Sequence, residues 1–372
     1  MIKLELDTVP IGQALPWSLY DRNGFLLLKS GCQLHSASQL NNLSERGLFR
    51  DYVPADLVSF KLPKPAKSVY DSNNPLLAIT QFAADLQNII AQVLRNECQP
   101  LEKAVLSIAQ GIIDICNKDC DATLAALNLH RIETYTTFHS VDTAVLSYVL
   151  AQALNMDNNE RLSITAAALT FNLGMADIQE SLNQQTSPLS PEQQLSILSH
   201  PLKSHDILKK SGIADELWLT AVLQHHENYL GEGYPQGLSD TEIAPAAKII
   251  SIADSYSAMI SRSYKKKRVP MEAFKEILTH FGKNELSLTL IKELGVYPPG
   301  SIVRLKNGDI GVVVKRLPDR HHPIVVSILG PRGTLYQHIV KRETKLPLFK
   351  IVAPVLMELP VEINFSRILG YH

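Results

Sequence analysis

The sequence predicts a mainly α protein: a central all-helical domain flanked by a small β-rich N-terminal unit and a C-terminal β-rich, small-barrel-like extension. Three observations predict it. From Leu76 to about residue 295 apolar residues recur at i, i+3 and i+4, the period of an amphipathic helix, and no strand pattern interrupts them. An Asn-Gly step stands between apolar runs near each end, Asn23-Gly24 and Asn307-Gly308, each a signature of a two-residue hairpin. Between the first unit and the helices, Lys61 to Pro75 is rich in proline, lysine and asparagine and holds no regular period.

The chain has 372 residues, enough for two or three cores. We expect a β-rich unit over 1–60, a linker over 61–75, a helical hairpin over 76–130, a helical domain over 131–295 and a β extension over 296–372. Hydrophobic residues make up 45% and charged residues 20%, the balance of an ordinary globular protein. A net charge of -1 gives no whole-molecule field to recruit DNA or an anionic membrane. No apolar run is long enough to span a bilayer and no signal peptide opens the chain, so the expected location is cytoplasmic. Cys32, Cys98, Cys116 and Cys120 show no paired zinc spacing and are expected to be reduced thiols.

Taken in order, Trp17–Tyr20 and Phe25–Leu28 flank Asn23-Gly24 and should pair. Ser36 to Arg50 reads as a short helix with Leu40, Leu43 and Leu48 inside. Leu76–Asn96 and Leu101–Asn117 read as two helices parted at Gln99-Pro100, with the proline suited to a helix start. This hairpin is either core or a surface for a second copy. Helices follow over His139–Leu154, Asn159–Thr170, Pro191–His200, Ala214–His226, Pro245–Ser261 and Met271–Phe281. Pro298-Pro299-Gly300 closes the block, and Ile302–Leu305, Ile310–Val314, Ile324–Leu329 and Ile351–Leu356 read as strands. Lys265-Lys266-Lys267-Arg268 is a basic run, read as a solvated helix end.

The chemistry concentrates in His225 to Gly237, HHENYLGEGYPQG. Adjacent imidazoles suit a metal, and Gly231, Gly233 and Gly237 with Tyr234-Pro235 suit a loop held on a tight path. With these residues in place, Tyr135 to Gly295 resembles the HD-GYP domain, a bacterial branch of the HD-type metal phosphohydrolases. Gly233-Tyr234-Pro235 matches the GYP element. His139-Ser140, His200-Pro201, His225-His226-Glu227 and Ile252-Ala253-Asp254 resemble the family's other motifs in the same order. The tail from Val296-Tyr297-Pro298-Pro299-Gly300 resembles an extension seen after such domains.

The resemblance implies hydrolysis of cyclic di-GMP on two or three ions, commonly iron or manganese, with a carboxylate bridging metals roughly 3.5–4 Å apart. This chain departs from that pattern. The HD pair reads Phe171-Asn172, so a benzyl ring and a neutral amide replace an imidazole and the bridge. Met175 stands where a lysine is expected, Tyr135 and Leu230 where polar or acidic residues are, and Ser257 where a second aspartate is. The stretch expected to carry arginine reads Ser261-Arg262-Ser263-Tyr264. His139, His200, His225, His226 and Asp254 remain, and by the family pattern His200, His225 and His226 serve one metal.

Two readings of these histidines stay open: ligands of one divalent ion (iron, manganese or zinc), or core and loop residues with ordinary hydrogen bonds and no metal. The expected function is a degenerate HD-GYP protein, inactive as a phosphodiesterase and serving as a signalling, binding or scaffold module. The alternative is a one-metal phosphohydrolase. Expected partners are cyclic di-GMP or another nucleotide, a protein such as a diguanylate cyclase meeting the GYP loop, and a second copy through the helical hairpin. His205, His321 and His322 are expected at the surface.

Overall fold

The computed structural model describes residues 74–95, 100–129, 135–185, 187–261, 268–357 and 363–371, with short stretches of the first 50 residues. Trp17, Asn23-Gly24, Leu48, nearly all of the expected linker and Lys265–Lys267 lie outside the described residues.

Near the N-terminus, β1 (Ile2–Lys3), β2 (Leu19–Tyr20), β3 (Leu26–Leu28) and β4 (Phe49–Arg50) form an antiparallel sheet in the order β1-β4-β2-β3. Leu19 pairs with Leu28 and Tyr20 with Leu26, the pairing expected across the Asn-Gly step. Arg50, expected to end a helix, instead lies in β4 opposite Leu19. Val9, Leu15, Leu19, Leu34 and Leu40 close a small core of their own. Cys32 is disulfide-bonded, which corrects the expectation of reduced thiols; Cys116 and Cys120 are free.

Eleven helices of the described residues follow: α1 (Pro75–Leu94), α2 (Leu101–Lys118), α3 (Cys120–Leu129), α4 (Tyr135–Ala153), α5 (Asn158–Thr170), α6 (Gln179–Gln184), α7 (Pro191–Lys210), α8 (Glu216–Gln224), α9 (Pro245–Ile260), α10 (Pro270–His280) and α11 (Glu285–Leu294). Their starts follow capping chemistry. Pro75, Pro191, Pro245 and Pro270 take first-turn positions, where a missing N–H costs nothing. Asp157 with Glu160, and Ser190 with Gln193, form reciprocal capping boxes.

The hairpin α1–α2 is not a separate layer. Phe82, Leu86, Val105, Ile108 and Ile112 share one continuous core with Val145, Ile164, Trp218 and Ile250. Helix α4 runs through the middle of this core and is buried from Tyr135 to Ala151. That explains why its sequence shows only a weak one-sided pattern: a helix covered on all sides has no solvent face to mark with charge.

The C-terminal unit is a five-stranded antiparallel sheet of β5 (Ile302–Leu305), β6 (Ile310–Lys315), β7 (Ile324–Leu329), β8 (Leu335–Glu343) and β9 (Ile351–Pro354), ordered β8-β7-β6-β5-β9, with a short helix α12 (Phe365–Ile368). Ile302, Val312, Ile328 and Phe365 pack with Ala125 and Leu129 of α3. Arg316 reinforces the contact: its guanidinium donates to Asp121 and to the Glu293 carbonyl, and its backbone N–H to Asp121 at 3.2 Å. No helix of the described residues is long and apolar enough to cross a membrane.

Candidate functional site

Helices α4, α7, α8 and α9, and the turn after α5, bring the predicted residues together. His200 sits inside α7, directly before Pro201. A proline has no N–H to give the carbonyl four residues back, so Pro201 frees Ile197 O from the helical ladder. The His200 Nδ1–H donates to that carbonyl at 2.6 Å. His225 sits one residue past the end of α8, where the last carbonyls lack helical donors. Its Nδ1–H donates to Val222 O at 2.7 Å. A carbonyl only accepts, so both rings must carry their proton on Nδ1.

The consequence lies on the other side of each ring. The two Nε2 atoms face each other at 3.1 Å, both presenting lone pairs. Two acceptors at that distance repel unless a cation lies against them. A proton is disfavoured: burial first, then mutual repulsion among the histidines, holds His225 well below its ordinary range. Burial also holds His200 down and takes His226 to about 3. The ligand atoms of His200, His225 and His226 lie within 4.8 Å of one another, the one such group among the described residues. Asn172 adds an observation: its Oδ1 is buried with no hydrogen-bond partner. The turn that carries it packs on α7, because Ser204 Oγ donates to Phe171 O at 2.7 Å and accepts from Gly174 N at 2.8 Å. A neutral imidazole trio fits one divalent ion.

His139 and Asp254 do not join that group. Also expected as candidate ligands, they pair with each other, His139 Nε2 to Asp254 Oδ1 at 2.7 Å. Burial pushes the Asp254 carboxyl up, but the hydrogen bond and charge of His139 outweigh it and hold the group below its ordinary value. Ser257 reaches the other His139 nitrogen at 3.3 Å, and Tyr135 stacks on the ring at 5.0 Å. Phe171, fully buried, stands between the two halves: its centroid is 5.9 Å from the His139 ring and 5.0 Å from the His225 ring. Met175 is half-buried at the end of the same turn.

The GYP loop is fixed by a residue that the sequence reading noted only as part of a motif. The buried Glu227 carboxylate accepts from Gln236 N at 2.6 Å and Leu238 N at 2.9 Å. Gly231 and Gly237 have φ of 73° and 67°, which favour glycine, and a Cβ on Gly233 would lie 2.5 Å from Glu227 Cα. The Tyr234-Pro235 bond is cis. This path stacks Tyr234 on His226 at 4.7 Å between centroids. Tyr229 and Leu230 are exposed, 46% and 62%. Gln224 ties the end of α8 to the start of α9 by accepting from Ala244 N at 2.8 Å. Its signal, a glutamine at a helix end, is too common to read from sequence. Glu180 accepts from Tyr135 N at 3.1 Å and caps α4 from a distant segment, with no local signal at all. His321 is exposed as expected, whereas His205 and His322 are half-buried; none of the three belongs to the histidine group.

Residues 120–284 match the family model described as an HD domain. The central block thus resembles an HD domain. It is 30% identical over 185 residues to a cyclic di-GMP phosphodiesterase of Borreliella burgdorferi, covering 48% of each chain. A cyclic di-GMP phosphodiesterase of Pseudomonas aeruginosa is 28% identical over 200 residues, covering 53% of this chain and 48% of the relative. The chain thus spans about half the length of the curated relatives it matches. A solved HD-GYP-type protein of Bdellovibrio bacteriovorus aligns with 78% of this chain and 97% of its own at 21% identity and a TM-score of 0.49. The histidine trio of this block comes from α7 and from the two residues that follow α8.

Proposed function

We propose that the chain is a signalling and binding module built on an HD domain. It holds no more than one divalent ion, on His200, His225 and His226, and does not turn over cyclic di-GMP at an enzyme's rate. The observation that carries this reading is the Phe171 ring between the His139–Asp254 pair and the imidazole trio. A two-ion centre needs a shared anionic oxygen, and this turn offers a phenyl ring and an amide instead. When bound, a single divalent ion polarises water or a phosphoryl oxygen, without the second ion that steadies the leaving oxygen. Loss of one such stabilising group elsewhere costs about a hundred- to a thousandfold.

The similarity to cyclic di-GMP phosphodiesterases supports a cyclic dinucleotide as ligand. The exposed Tyr229 and Leu230 beside a rigid loop support a protein partner of the diguanylate cyclase kind. The test is elemental analysis together with a hydrolysis and a binding assay on the same preparation. The expected result is one ion per chain or fewer, no cleavage of cyclic di-GMP, and saturable binding. Two ions per chain with rapid cleavage overturn it. A second reading, a one-metal phosphohydrolase, is favoured by the paired lone pairs of His200 and His225. Under it His225→Ala abolishes both metal uptake and phosphoester cleavage.

A further inference from the structure

Helix α7 buries His200, Ser204 and Leu208 on one side. On the opposite side Leu195, Leu198 and Leu202 are 67%, 50% and 48% exposed. At about 100° per residue these three fall within about 60° of one another. A solvated helix face is normally polar. Leucines at i, i+3 and i+7 instead make the seam of a helix pair. Beside the seam, on one flank, lie Glu192 near the helix start and Lys203 and Lys210 toward its end, all exposed.

We propose that this face joins two copies of the chain, their α7 helices antiparallel about a two-fold axis. A two-fold axis brings like flanks together in reversed order. Glu192 of one copy then meets Lys203 of the other, and the same pair forms twice. Leu198 lies beside the axis, and Leu195 packs between Leu198 and Leu202 of the second copy. Asp206, on the same side, comes opposite Leu189 and Ser190, which carry no charge. A parallel pairing would set each flank against the partner's opposite flank and leave Glu192 and Lys203 apart. The acid-to-base order is therefore self-complementary in one orientation, which selects a second copy of this chain over an unrelated apolar partner. A 20-residue helix is about 30 Å long, so its seam buries less than the roughly 800 Å² per partner of a standard interface. The dimer is accordingly weak, dissociating at micromolar concentration.

Sedimentation equilibrium of the full chain between about 1 and 100 µM tests this without reference to any metal. The wild type shifts from monomer to dimer across the range. Leu198→Glu and, independently, Leu202→Gln stay monomeric while keeping the wild-type circular dichroism spectrum. Glu192→Lys alone and Lys203→Glu alone each weaken the dimer about five- to tenfold, the effect expected of two exposed ion pairs turned repulsive. The double variant Glu192→Lys with Lys203→Glu recovers the wild-type constant. A wild type that is monomeric throughout, a dimer indifferent to both leucine changes, or a double variant no better than the singles overturns the proposal.

Discussion

Pro201 withholds a backbone donor that an alanine would restore. In Pro201→Ala the new N–H competes with the His200 ring for Ile197 O, and the ring loses the bond that sets its tautomer. The helix should gain stability while affinity for a divalent ion falls about ten- to a hundredfold, the usual cost of losing the group that orients a ligand. Calorimetric titration with zinc, alongside a thermal melt, separates the two effects. The trio also predicts a pH response. His200, His225 and His226 are harder to protonate folded than unfolded, His226 down to about 3 from 6.5. Their contribution to stability is complete above about pH 6.5 and is lost as pH falls from there toward about 3. Metal-free protein should lose up to about 1.4 kcal/mol per pH unit across that window through His226, with His200 and His225 acting in the same direction. Urea midpoints measured from pH 7 to 4 check this, and His226→Gln should flatten the slope. At this scale the family resemblance grouped His200, His225 and His226, and the fold brings their ligand atoms within 4.8 Å of one another. That His139 and Asp254 would pair was not legible, because they lie 115 residues apart, on α4 and α9.

The turn after α5 and the GYP loop decide what the site does. Phe171→His with Asn172→Asp supplies a donor and a carboxylate where the wall now stands. The double variant should bind a second ion by elemental analysis yet recover only a small part of an enzyme's rate, since Met175, Leu230 and Ser257 are unchanged. The loop depends on Glu227. Glu227→Ala leaves two N–H groups, those of Gln236 and Leu238, without their acceptor and should destabilise the protein by about 3 kcal/mol. Urea denaturation measures the loss, and a weaker effect in Glu227→Gln would show that the oxygen geometry matters as well as the charge. Element boundaries were legible where first-turn prolines marked them, as at Pro191 and Pro245. They were not where tertiary contact overrode local pattern: α7 continues through Pro201 to Lys210. The longest strand, β8, escaped notice because this edge strand is largely exposed and reads QHIVKRE rather than as an alternating run.

Across the whole molecule, α3 is the element shared by the helical core and the C-terminal sheet. Leu124 faces the first and Ala125 and Leu129 the second. Arg316 crosses the same boundary to Asp121 and Glu293. Removing one partner of a largely buried ion pair is costly, so Arg316→Ala should lower stability by about 3 kcal/mol. If both units melt in one transition in the wild type, this variant should split it, which differential scanning calorimetry would show. The outline of the chain, β then α then β, was legible from its two Asn-Gly steps and the change of period. The merging of α1 and α2 into the central core was not, because an apolar helix face looks the same whether a neighbour or a second chain covers it. One consequence follows from the neutral imidazoles. An ion arriving among uncharged donors keeps most of its charge, with Asp254 as the nearby counterweight. Such a centre pulls in phosphate-bearing ligands, and by thermodynamic reciprocity a ligand that settles against the ion tightens the ion's own hold by the same factor.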